Sequence, residues 1–291
     1  MRLDRSTAPL LVLGGVVSVQ FGGALAATLV PRIGAVGSVM MRLAFAMVIL
    51  CAVARPRLFG RSARAWATVV LFGLALAAMN TAFYSSLAYL PIGVAVTVEF
   101  LGPLALAAVL SRRPRDIAAV LAAGLGVALV SGATDATWGR FEPIGLFWAG
   151  AAGVMWAAYI VLSQRTGSLF DGLDGLAVAL IVSTAVVTPF GLASVDAWTP
   201  QIVGLGLGIA VLSSVLPYSL ELMALRHLSQ GVFGILLSLE PAVAALAGLI
   251  VLGQVLDAGQ VLGLGLVVIA SAMVLSAKRK QDPPDAVVGS G

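Results

Sequence analysis

The sequence predicts an all-α polytopic membrane protein of ten transmembrane helices, arranged as two five-helix repeats of inverted topology. Three observations predict it. Apolar runs of membrane-crossing length follow one another almost end to end. Only 10% of the 291 residues are charged and 60% are hydrophobic, with a mean hydropathy of +1.06, so little is left to dress a surface facing water. A shift of 138 residues, carrying Leu87 onto Leu225, lays a stretch of the first half over the second.

The spans are expected at about 9–30, 34–54, 65–88, 91–111, 116–132, 143–164, 173–192, 201–225, 230–252 and 257–276. The first has the basic start, apolar core and Ala24–Leu25–Ala26 of a secretory signal, but Pro9 to Val30 is long enough to cross a bilayer and is read as a helix. Pro31, Pro91, Pro114, Pro143 and Pro200 sit where helices begin or end, since proline lacks the donor that a helix interior needs. The tail QDPPDAVVGSG is polar, Pro-rich and expected to be disordered. The division follows: 1–133 and 143–277 as the two repeats, 134–142 as an extracytoplasmic linker and 278–291 as a cytoplasmic tail.

Basic residues orient the spans. With both termini in the cytoplasm, fourteen of the 17 Lys and Arg, from Arg2 and Arg5 to Lys280, fall on the cytoplasmic side. Only Arg32 and Arg140 fall on the far side, and Arg42 lies inside a span. The net charge of +4 therefore reads as membrane-loop chemistry and not as a nucleic-acid surface.

The repeat rests on LAYLPIGVAVTVEFLGPLALA (87–107) over LRHLSQGVFGILLSLEPAVAA (225–245), where Gly93, Leu101 and Pro103 meet Gly231, Leu239 and Pro241. These segments fall on the fourth span of each five-span unit, and GLG at 124–126 meets GLG at 263–265 in the fifth after one inserted residue. Five is odd, so the second unit enters the membrane from the opposite side. Paired inverted units with a site between them are the architecture of many secondary transporters.

Charged side chains inside spans cost about 2.5 to 3.5 kcal/mol each at a helix centre, so they demand a reason. Four occur: Arg42, Glu99, Glu221 and Glu240. Arg42 and Glu99 each lie about eight residues from the outer end of their spans, at one level. A structural ion pair between them and a transport role for Glu99 are equally open readings. Glu240 lies near the midplane with no partner in its own span, which favours function. Glu221 is close enough to a cytoplasmic end to snorkel or to pair with Arg226. Together the four form a candidate proton-coupling or charge network. Gln20, Asn80, Tyr84, Trp156, Tyr159 and Tyr218 join Glu99 as candidate substrate contacts. Any one of them could equally make an ordinary interhelical hydrogen bond. Aromatic walls with a few polar groups suit a small zwitterion. One histidine, one cysteine and no nucleophile, metal or nucleotide motif point away from an enzyme and from any cofactor or metal.

Three segments carry a family resemblance: VSVQFGGALAATLVPRIGAVG (17–37) with Arg42, MNTAFYSSLAYLPIGVAVTVEFLGPLA (79–105), and LSSVLPYSLELMALRHL (212–228) running into GILLSLEPAVAALAGLIVLG (234–253). The chain resembles the drug/metabolite transporter superfamily with its EamA-type repeats, and within it the bacterial threonine/homoserine exporter branch. The resemblance implies a secondary exporter of small neutral amino acids in the bacterial inner membrane, driven by protons. An exporter or uncoupled facilitator of other amino acids, aromatic ones included, or of small metabolites forms the alternative, and a non-transporting receptor or scaffold a remoter one. Many relatives place a glutamate after the glycine that ends the ninth helix; here that residue is Gln254.

Overall fold

The computed structural model of the chain describes residues 8–111, 114–130, 142–217, 220, 224 and 236–279, and every regular element among them is helical. The helices are α1 (Ala8–Ala54), α2 (Ala63–Ser86), α3 (Ile92–Glu99), α4 (Leu101–Ser111), α5 (Pro114–Val130) and α6 (Pro143–Gly167). They continue with α7 (Asp174–Gly191), α8 (Pro200–Ala210), α9 (Glu240–Leu252) and α10 (Ala258–Arg279). A 3-10 turn, Leu192–Ala197, follows α7, and a π turn, Val211–Val215, continues α8. Among the described residues five helical segments are long and apolar enough to cross a bilayer, and four shorter apolar helices accompany them. The perimeter is apolar: Leu71, Leu121, Phe147, Ile250 and Leu262 are exposed, while Arg42, Asn80, Glu99 and Glu240 are buried. This inside-out distribution is that of a polytopic protein solvated by hydrocarbon.

α1 contains the first two expected spans without a loop between them. Gly34, with φ 74° and ψ 165°, interrupts it three residues after Pro31. The chain doubles back there. Gly22 packs on Ser213, and Arg42 also bonds Ser213; a straight helix would hold residues 20 apart about 30 Å from each other. The expected fourth span is likewise two helices, α3 and α4, divided at Phe100. The linker 134–142 lies outside the described residues except Glu142, as does the tail beyond Arg279.

The connections gather at two ends. At one, Arg61 Nη2 lies 3.4 Å from Asp174 Oδ2, and the Arg57 amide donates to the same oxygen at 3.3 Å. This ties the α1–α2 loop to the start of α7. Ser62 caps α2 there by accepting the Ala65 amide at 3.2 Å. At the other end Gly145 packs on Tyr89 and Leu90, and Gly37 packs on Ser194. Gly253 ends α9 with φ 67°, and Asp257 and Gln260 cap the start of α10 reciprocally at 2.9 and 3.0 Å.

Between the ends, glycines let helices touch. A Cβ on Gly126 of α5 would stand 2.9 Å from Val267 Cγ2 and against the Gly263 carbonyl. A Cβ on Gly263 of α10 would stand 2.7 Å from Val130 Cγ2 and against the Gly126 carbonyl. Small residues supply the van der Waals contact that replaces a hydrophobic drive between helices in lipid. Gly126→Leu should therefore lower the midpoint of thermal unfolding in detergent, at an overpacking cost of about 1–3 kcal/mol. Gly124→Leu, where nothing lies within 4 Å, should leave the midpoint unchanged.

Candidate functional site

Two prolines shape the centre of the bundle. Pro103 has no N–H to offer the Glu99 carbonyl four residues earlier, and its ring crowds that oxygen. The helix breaks at Phe100, and the freed carbonyl lies against α6, where a Cβ on Gly153 would stand 2.6 Å from it. Trp156, one turn along α6, packs edge-on against Phe100 at 5.5 Å between ring centroids. Pro241 leaves the Leu237 carbonyl without its helical donor in the same way, and the chain turns through Ser238 and Leu239 before α9 begins at Glu240. Both carboxylates thus stand at helix breaks, Glu99 at the end of α3 and Glu240 at the start of α9.

α3 and α9 pack antiparallel. Ile92 faces Gly248, Gly93 faces Ala245, and Val96 shares a cluster with Ala244. That register, carried one turn further, sets Glu99 level with Glu240. Both are buried, each 8% exposed. Gln20, from the first arm of α1, donates to Glu240 Oε2 at 3.3 Å. Among the described residues no hydrogen bond reaches the Glu99 carboxylate, while the Arg42 guanidinium is near enough for its charge to act on it.

Arg42 joins three elements. Nη1 donates to Asn80 Oδ1 at 2.6 Å and Tyr84 Oη at 3.5 Å, both on α2. Nη2 donates to the Ser213 carbonyl at 2.9 Å, and Nε to Ser214 Oγ at 3.3 Å, both on the π turn. The guanidinium also lies 5.7 Å from the centroid of the Tyr84 ring. The carbonyls of the π turn are available for a physical reason. The Leu216 amide bonds Val211 and skips Leu212, and Pro217 has no amide at all. The Leu212 carbonyl accepts Ser18 Oγ at 2.6 Å instead, and the Ser213 carbonyl accepts Arg42. Such π turns favour functional sites because they release backbone acceptors.

The structure therefore brings Gln20, Arg42, Asn80, Tyr84, Glu99 and Glu240 into one buried region. Trp156 is half-buried beside the α3–α4 break, while Tyr159 packs on Phe72 at 5.2 Å, between the core of α2 and the loop end of α6. Tyr218 and Glu221 lie outside the described residues. Sequence reasoning did not single out Ser18 or the backbone of the π turn. The available signal was Pro217, which orphans a carbonyl in the middle of an apolar run.

A model of the EamA-like transporter family matches residues 143–276. The threonine/homoserine exporter RhtA of Escherichia coli K12 is 38% identical over 264 residues, 90% of this chain and 88% of its own length. The chain belongs to the EamA-like transporter family. Within the family it falls in the RhtA branch: RhtA of Salmonella typhimurium LT2 is 39% identical over 90% of this chain and 89% of its own. A more distant relative, the uncharacterised transporter YwfM of Bacillus subtilis 168, is 26% identical over 76% of this chain and 77% of its own. One crystal structure superposes with a TM-score of 0.65 over 96% of this chain and 100% of its own, at 19% identity, which shows a shared fold. Membership makes the chain a transporter and not an enzyme, a multi-pass protein of the bacterial inner membrane.

In this EamA-family member the Arg42 junction is a requirement of the fold as well as of the site. Arg42→Met should orphan the Asn80 side-chain oxygen and the Ser213 carbonyl, at about 1–3 kcal/mol for each unsatisfied acceptor. Arg42→Lys should recover only part of that, because an ammonium cannot reproduce a planar fork bonding two helices at once. Thermal unfolding of the three proteins in one detergent checks the order wild type, Lys, Met.

Proposed function

We propose that this protein exports small neutral amino acids of the threonine and homoserine kind across the bacterial inner membrane. The observation that carries the reading is the Glu99 carboxylate, buried at a helix break, level with a second carboxylate and free of hydrogen bonds among the described residues. A buried carboxylate of this kind suits a transient cation, either a substrate ammonium or a proton. The relatives named threonine/homoserine exporters supply the substrate class.

In this reading the substrate lies between two halves, residues 1–133 and 143–277, joined by 134–142 and followed by the tail 278–291. The symmetry of the breaks supports the division: the shift of 138 residues that carries Leu87 onto Leu225 also carries Pro103 onto Pro241 and Phe100 onto Ser238. Pairing of α3 with α9 and of α5 with α10 across the halves supports it as well. Discontinuous helices meeting at mid-depth are how inverted-repeat carriers build a site. Glu99 and Glu240 receive the ammonium, and Gln20 steadies Glu240. Asn80 and Tyr84 hold Arg42, whose charge offsets the carboxylates and attracts the substrate carboxylate. Trp156 and Tyr159 supply the aromatic contacts. The halves rock to expose the site alternately, with protons returning through the carboxylates, and both termini face the cytoplasm.

The test is efflux from proteoliposomes loaded with labelled threonine, homoserine or phenylalanine, with and without an imposed pH gradient. Threonine and homoserine should leave faster than from empty-liposome controls, and an inward proton gradient should accelerate them. Glu99→Gln should slow efflux by about tenfold or more, as expected for losing a charged hydrogen bond, while its melting point stays near that of the wild type. Efflux at the leak rate for every substrate would sink the exporter reading, and flux indifferent to the gradient would remove the coupling. Parallel loss of flux and folding in Glu99→Gln would make the carboxylate structural.

A further inference from the structure

The site has a support at the far end of its own helix pair. Gln254 follows Gly253, whose left-handed backbone ends α9 and turns the chain toward α3. Its amide N–H donates to the Gly248 carbonyl at 3.1 Å, which holds the residue against α9. Its side-chain oxygen Oε1 reaches across to α3 and accepts the Ile92 amide at 3.1 Å. Ile92 is the first residue of α3, and Pro91 before it has no amide and makes no side-chain cap. Gln254 thus satisfies one of the N–H groups that the start of a helix leaves without a partner.

The fit around this bond is close. A Cβ on Gly248 would stand 2.8 Å from Gln254 Oε1 and 2.8 Å from Ile92 Cγ2. A Cβ on Gly93 would stand 2.9 Å from the Ala245 Cα. Close packing of this kind brings the helices together by van der Waals contact, which carries no direction of its own. The hydrogen bond from Gln254 is directional and fixes the register. At the other end of the same two helices, about two turns from the glycine contacts, stand Glu99 and Glu240.

We infer that Gln254 is a positioning residue: by clasping the first turn of α3 to the end of α9, it sets the spacing of Glu99 and Glu240 and so the affinity for substrate. The inference rests on the proposed function, in which the two carboxylates receive an ammonium. Gln254 touches no substrate and acts through the register of α3. As an amide it holds that register at any pH at which the protein folds.

The experiment measures concentration-dependent efflux of labelled threonine from proteoliposomes for wild type, Gln254→Met, Gln254→Glu, Gly248→Ala and Glu99→Gln. Gln254→Met keeps length and removes the acceptor, and it should raise KM about tenfold with a much smaller change in maximal rate. Gln254→Glu retains an acceptor oxygen at the same reach and should keep KM within about twofold of wild type. Gly248→Ala displaces the same oxygen without removing it and should raise KM too, so the inference stays testable if Gln254→Met fails to fold. A merely structural role predicts lower melting points with KM unchanged, and that result would overturn the inference. So would an equal rise of KM in Gln254→Met and Gln254→Glu. If Glu99→Gln leaves KM and flux at wild-type values, the carboxylate reading itself fails. If Glu99→Gln raises KM while Gln254→Met and Gly248→Ala do not, only the role of Gln254 fails.

Discussion

The architecture depends on amides that are missing. In hydrocarbon a backbone carbonyl without a donor costs several kcal/mol, so a proline inside a span is tolerated only where something else answers the freed oxygen. Pro103, Pro241 and Pro217 each remove one donor near the middle of the bundle. The first two interrupt helical hydrogen bonding, at Phe100 and at Ser238–Leu239, which places Glu99 and Glu240 beside those interruptions. The third leaves a carbonyl for Arg42. The polar centre of this protein follows from where helical hydrogen bonding is interrupted as much as from where charged residues stand.

The same constraint explains how a guanidinium is held among apolar helices. Its cost is met by acceptors that the fold already has in surplus: the Ser213 carbonyl and Ser214 hydroxyl of the π turn, with Asn80 and Tyr84 from α2. Asn80 can serve Arg42 with its oxygen because its Nδ2 is occupied elsewhere, donating to the Leu76 carbonyl at 2.8 Å. The guanidinium in turn fastens both the second arm of α1 and α2 to the π turn. Glu99 sits within the field of that cation. In the proposed function, that carboxylate is the one that takes the transient cation.

Much of this was legible in the sequence, and the illegible part has a common cause. Hydropathy located the apolar runs, because burying polar backbone in lipid permits little else. Pro143 and Pro200 marked helix starts correctly, since a first-turn proline loses nothing. Intramembrane charge marked Arg42, Glu99 and Glu240, whose cost is local and visible. What could not be read was partnership. The level of Arg42 in its span could be read, but not that its guanidinium donates to α2 and to a turn 171 and 172 residues away. Gln254 reads as a lost charge; folded, it is an acceptor for a helix 162 residues away. The break at Phe100 hid in a continuous apolar run because hydropathy carries no information on which carbonyl a proline orphans.

The placement of restraints bears on how such a molecule would move. At one end Arg61 and Asp174 join the α1–α2 loop to the start of α7, and at the other Gln254 joins α9 to α3. Each such interaction is worth on the order of 1 kcal/mol net. Between the ends, close glycine contacts join the helices, Gly126 against Gly263 and Val267 and Gly93 against Ala245. The polar strap across the middle is Arg42, which ties the second arm of α1 to both α2 and the π turn and makes that group one unit. In the proposed rocking, the energy to release an end is therefore small and separable from the energy that holds the centre. A ligand can shift such an equilibrium only by its difference in affinity between the two states. An ammonium seated between Glu99 and Glu240 supplies that difference at the point where α3 and α9 converge. On the proposed function, the carboxylates would be the contact through which substrate, or a proton in its place, biases which end opens.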